Sequence, residues 1–138
     1  MEYFALGLSI LSFVCSAFTY IRGAKREKMQ ATLDAFNLLQ EQVLDKLNLY
    51  RKSDIQRISE NVHSQEYKEL SSLLARCEHF SVGVNSGIYD LKTVDRLARL
   101  YIRGVYEKML PMIEKKRQIN TAAKHYDDFE RLYLRLKH

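Results

Sequence analysis

Arg57 and His63 are the two residues of this chain whose types and spacing come nearest to a reaction. Five residues separate them. A guanidinium can hold the charge of a phosphate and an imidazole can move a proton, so the pair could serve phosphodiester cleavage. Other candidates fail on spacing. His63, His79, His125 and His138 include no H-x-x-x-H or H-E-x-x-H pair, which a zinc site on one helix needs. Cys77 and His79 stand two apart and point to different faces of a helix. Cys15 and Cys77 form no C-x-x-C motif, which fits a reducing compartment and excludes a disulfide or zinc framework. The glycines build neither a P-loop nor a G-x-G-x-x-G turn. No cofactor and no metal is expected.

The Arg57–His63 spacing resembles the R-x(4–6)-H signature of HEPN-type ribonucleases, which are also all-helical. That resemblance implies a ribonuclease. Against it, Ile58 follows the arginine where the signature favours asparagine or another polar residue.

A second chemistry-bearing pattern is basic. Arg96, Arg99 and Arg103 step by three and four along one helix face, Lys92 extends it, and Lys115, Lys116 and Arg117 follow. Such a face is solvated, or meets anionic lipid head groups or an acidic protein; nucleic acid ranks below these. The formal net charge of +5 points the same way, because a positive cytoplasmic flank explains it without nucleic acid.

The elements that must position these residues are helices. Composition is that of a folded chain, 46% hydrophobic and 28% charged, and one proline with five glycines is too few for a turn-rich β fold. The residues from Tyr3 to Ile21 carry no charge. As a helix they rise about 28 Å, the hydrocarbon thickness of a bilayer. Arg22, Lys25, Arg26 and Lys28 follow at once, and only Glu2 precedes. A signal peptide carries its basic residues on the other side of the apolar run. The positive-inside rule puts the N-terminus outside and the rest in the cytoplasm. Within the span, Ala5, Ser9, Ser12, Ser16, Thr19 and Gly23 step by four and three, a stripe of small residues that lets membrane helices approach.

From Gly23 to Lys52 an amphipathic helix is expected, continuous with the anchor. Its seam of Met29, Leu33, Phe36, Val43, Leu47 and Tyr50 would suit a short coiled coil. Asp54 is expected to start a short helix over 55–62, and Ser64 to cap one over 65–86. In the stretch HFSVGVNSGIYDL the helical period runs through Phe80, Val84 and Gly87. Gly87 therefore reads as a C-terminal cap, Asp90 as the cap of the next helix, and Gly83 as room for another helix. Asn85 and Tyr89 flank this joint as a possible partner-binding edge. Pro111 is expected to interrupt or kink the helix that starts at Leu91. The last helix is expected over 122–137.

These residues carry a family resemblance. An apolar N-terminal helix precedes basic residues and Ala31-Thr32-Leu33. Phe80 precedes Gly87-Ile88-Tyr89-Asp90. Leu110-Pro111 stand with Ile113 and Arg117, and Tyr126 with Phe129 and Leu132. In this order they resemble the bacterial family catalogued as domain of unknown function 4760, over nearly the whole chain. The family often places tryptophan where this chain has Tyr106. The resemblance implies a small all-helical membrane-anchored protein and brings no catalytic residues.

The expected fold is all-α: one N-terminal transmembrane helix, then a four- to five-helix cytoplasmic bundle. Its parts are an anchor over 1–22, an amphipathic helix over 23–52 and a helical domain over 53–138. The expected role is non-enzymatic: a single-span inner-membrane protein that self-assembles or binds another membrane protein, as an effector or adaptor in a phage-related or defence setting. The alternative is a membrane-tethered HEPN-like ribonuclease built on Arg57 and His63.

Overall fold

The computed structural model describes residues 2–121 and 124–136. Among these residues five helices follow one another: α1 (Glu2–Leu47), α2 (Lys52–Glu60), α3 (Gln65–Asn85), α4 (Leu91–Ile119) and α5 (Asp127–Arg135). There is no strand among the described residues. The alternation at Phe80–Val84 therefore belongs to a helix.

The first half of α1 is long and apolar enough to cross a membrane, and among the described residues none of its apolar window is buried. Tyr3, Phe4 and Phe13 stand 89%, 74% and 75% exposed. Its second half enters the bundle, with Thr32, Phe36, Leu39, Val43, Leu44 and Leu47 buried. A π turn at Gln40–Leu44 serves this change. At the α-helical 100° per residue, Leu44 would stand about 80° away from Phe36. The wider turn rotates it back, and both reach one core.

That core corrects the reading of the seam. Phe36, Val43 and Leu47 lie against this chain's own helices and are not offered to a coiled-coil partner. Leu38, on the other side of α1, and Leu49, in the turn after it, stay exposed.

The chain folds back on itself locally for capping reasons. Ser64 accepts the Tyr67 amide at 3.1 Å and opens α3. Asp54 sits in the first turn of α2 and accepts the Arg51 amide at 2.9 Å, so α2 begins three residues before the expected start. This is the reciprocal half of a capping box; arginine has no acceptor for the other half. Gly87 takes φ +84° and Asp90 accepts the Thr93 amide at 3.1 Å, which ends α3 and starts α4.

α4 runs unbroken through Pro111. The proline removes one donor, but Met109, Met112 and Ile113 on either side of it are fully buried, and that packing outweighs the lost bond. α3 runs antiparallel to the inner half of α1, pairing Phe80 with Phe36 and Arg76 with Gln42. α2 packs mainly on α4, and α5 mainly on α3.

The last helix starts later than expected. Arg117 donates to the carbonyl of His125 at 2.8 Å and to Glu130 at 3.1 Å, so the chain before Asp127 is held as a turn. Tyr126 takes a left-handed φ of 62° there. Of the expected helix over 122–137, residues 122, 123 and 137 lie outside the described residues, as does His138.

Candidate functional site

The joint between α3 and α4 is the best-organised polar region. Thr32 of α1 accepts the Asp90 amide at 2.8 Å and donates its own proton to the Lys28 carbonyl at 2.7 Å. Asp90 in turn receives the Thr93 hydroxyl at 2.6 Å, which holds its carboxyl below the usual range; Lys28 and Lys25 add to that. The joint therefore lies against α1 at Thr32, about 16 Å of helix past the end of the apolar run.

Gly83 makes room for a ring, not for another helix. A Cβ there would lie 2.5 Å from Tyr89 Cε2. The Tyr89 ring stacks on Phe80 with centroids 5.6 Å apart. Asn85 donates to the Asp128 carbonyl at 2.9 Å and accepts from Arg135 at 2.9 Å. Asn85 and Tyr89 thus serve internal contacts rather than the partner edge considered from sequence. Glu78 caps α5 from α3, accepting the amides of Asp128 at 3.1 Å and Phe129 at 2.7 Å. Nothing local in the sequence marks Glu78 for that role. Thr32 had one signal, a hydroxyl set in an apolar helical stripe.

The basic face divides in two. Arg99 grips Asp95 through two bonds of 2.7 and 2.6 Å, and Arg103 lies over the Tyr133 ring at 5.8 Å. Lys92 and Arg96 instead line a hollow of 430 Å³ together with Lys25, Met29, Leu33 and Leu97. Among the described residues neither Lys25, Lys92 nor Arg96 has a carboxylate within ion-pair distance.

A second hollow of 460 Å³ lies between the π turn and α3, over Ala35, Leu39 and Phe80. Arg76 donates to Gln42 at 2.6 Å beside it, and His79 is on its rim. It can take apolar groups and offers no nucleophile with an adjacent base.

Arg57 and His63 are both exposed; Arg57 is 3.9 Å from the carboxylate of Glu66, and neither residue lines these hollows. Cys77 is buried, and that burial pushes its thiol up to about 12. Among the described residues no three His, Cys, Asp or Glu side chains gather to hold a metal ion. The stripe residues Ala5, Ser9, Ser12, Ser16, Thr19 and Gly23 are all exposed on α1, and Thr19 donates to the Cys15 carbonyl at 2.9 Å.

The family profile described as "Domain of unknown function (DUF4760)" matches residues 6–136. The chain belongs to the DUF4760 family. No curated protein and no solved structure matches it significantly. The match runs from the apolar half of α1 to the end of α5, so in this DUF4760 chain the bare helix and the bundle form one family unit. The residues that carried the resemblance are structural here. Gly87 and Asp90 make the joint, Arg117 holds the turn before α5, and Tyr126 is buried in the core. Tyr106, where the family often has tryptophan, packs edge-on to Phe129 and stacks on Tyr133.

Proposed function

We propose that this DUF4760 protein is a single-span protein of the bacterial inner membrane that acts through assembly, with itself or with another membrane protein. Its N-terminus lies outside and its bundle lies in the cytoplasm. The observation that carries this reading is the division of α1. One half keeps its apolar side chains unburied among the described residues, and the other half, without a break, is a wall of the bundle core. An apolar surface of that extent is a membrane or partner contact.

The flanking charges support the orientation. Arg22, Lys25, Arg26 and Lys28 follow the span directly, and Arg22 lies over the Phe18 ring at 5.0 Å. The small stripe supports close approach of two spans, because backbones meet where side chains are short. A continuous helix then carries any approach or rotation of the spans into the bundle.

Crosslinking in native membranes tests the assembly. Wild-type protein should give a crosslinked dimer or higher species, and Ser12→Leu with Ser16→Leu should reduce it severalfold. A monomer in both cases sinks the assembly reading. Protease added outside intact cells should spare a C-terminal tag; its removal would reverse the orientation.

A further inference from the structure

The hollow between α1 and α4 is basic on one part and apolar on the other. Lys25 from α1 and Lys92 and Arg96 from α4 line it, and all three are exposed. Among the described residues none of them is in an ion pair. The carboxylate of Asp90, also in the lining, is engaged by the Thr93 amide and hydroxyl at 3.1 and 2.6 Å. The apolar part is Met29, Leu33 and Leu97; Met29 is 37% and Leu97 45% exposed. Met29 and Leu33 stand about 12 and 18 Å of helix past Ile21, beneath the lipid head groups. A cover for them has to be protein.

The same stretch of α1 has an acidic side. Glu27 and Asp34 are exposed and, among the described residues, in no ion pair; Asp34 accepts the Gln30 side-chain amide at 2.9 Å. At 100° per residue they stand about 160° and 140° round the helix from Met29. Their height matches the hollow, whose α1 residues are 25, 29 and 33. Both sides continue into the apolar half. Gly23, the end of the small stripe, is about 40° from Glu27 and about 20° from Asp34, so the acids prolong the stripe. Phe4, Leu11 and Phe18, all exposed, precede Lys25 at seven-residue steps, so large side chains prolong the hollow. α1 therefore has a small and acidic side and a large and basic side.

Copies that span one membrane in one orientation meet at equal height. Stripe against stripe would set Glu27 and Asp34 against the same acids of the other copy. Hollow against hollow would set cations against cations. Both are penalised by like charge. The stripe side of one copy against the hollow side of the next pairs opposite charges and lays large side chains over small ones. We propose that the hollow receives the Glu27–Asp34 side of a second copy of this chain, head to tail. Lys25, Lys92 and Arg96 of one copy then meet Glu27 and Asp34 of the next, and Met29, Leu33 and Leu97 are covered. Such a contact leaves one face free at each end, so it builds rings or rows rather than closed pairs. The proposal rests on the reading that the chain spans the membrane and assembles with itself.

The test is crosslinking of the full chain in native membranes, with charge reversed on one side at a time. Lys92→Glu with Arg96→Glu should reduce the crosslinked species severalfold, and so should Glu27→Lys with Asp34→Lys. The two variants, differently tagged and expressed together, should crosslink to each other. A chain carrying all four substitutions should assemble again. Lys46→Glu with Lys68→Glu makes the same charge change away from both faces and should assemble like wild type. Thermal melts show that each variant is folded. Full assembly in either one-sided variant, equal loss in the control pair, or no rescue on combination overturns the proposal. Stripe-to-stripe pairing would show itself as indifference to Lys92 and Arg96. Wild-type protein judges the parent reading separately. A wild-type monomer sinks both; a wild-type oligomer that survives both charge reversals leaves assembly standing and fails only here.

Discussion

The hydroxyl of Thr32 accepts the backbone amide of Asp90 at 2.8 Å, across 58 residues of sequence. Thr32 is fully buried and the bond is partly so, so the amide loses its protein acceptor in a site with restricted access to water once the hydroxyl is gone. Thr32→Val keeps the shape and removes the acceptor. It should cost about 1–3 kcal/mol, and Thr32→Ser much less. Urea melts measure the loss. Hydrogen exchange should localise it to residues 83–94, and a loss spread evenly over the bundle would contradict the assigned role.

Gly83→Ala places a methyl 2.5 Å from the Tyr89 ring, and stacking on Phe80 limits where that ring can go. Overpacking of this kind costs about 1–3 kcal/mol. In a Tyr89→Ala background the same substitution should cost almost nothing, because the colliding ring is absent. The double-mutant cycle measures the coupling; additive losses would place the damage elsewhere.

Glu130 joins Lys124 at 3.0 Å and Arg117 at 3.1 Å. The hydrogen bond from Lys124, with Arg117 nearby, holds its carboxyl below the ordinary 4.5. A depressed carboxylate contributes stability that is fully present above its unfolded value and is lost as pH falls through the folded one. Wild-type protein should therefore lose stability more steeply below about pH 4.5 than Glu130→Gln does. Melting curves from pH 3 to 7 compare the two, and parallel curves would remove Glu130 from the acid response.

Cys77 and Cys15 should separate on labelling. Burial raises the Cys77 thiol to about 12, so at neutral pH it should stay unlabelled by maleimides until the bundle unfolds. Cys15 is exposed on the apolar half of α1. In bilayers it should resist a charged maleimide and become labelled in detergent without unfolding. Ready labelling of Cys15 by the charged reagent in sealed vesicles would argue against a span.

The sequence by itself determined what depends on neighbours three or four residues apart and on the length of an apolar run. The all-α class, the bare N-terminal helix, the Ser64 and Asp90 caps and the Gly87 stop are of this kind. Each is a contact within one turn, or a mean hydropathy over one segment. Tertiary structure decided what those local rules leave open. The 36–47 seam has the same periodicity whether it faces a second chain or its own bundle; the fold put it inside. Asn85 is as polar in a binding edge as in an internal network; Asp128 and Arg135 made it internal. Pro111 would stop an isolated helix, yet the buried methionines and Ile113 beside it carry α4 through. The last helix was expected from residue 122, but Arg117 takes the carbonyls of His125 and Tyr126 and holds 124–126 as a turn. The basic face looked uniform until Asp95 and Tyr133 claimed two of its four cations. The partners that settled these last cases lie 4 to 50 residues away, and many of them on other helices, where no periodicity reports them.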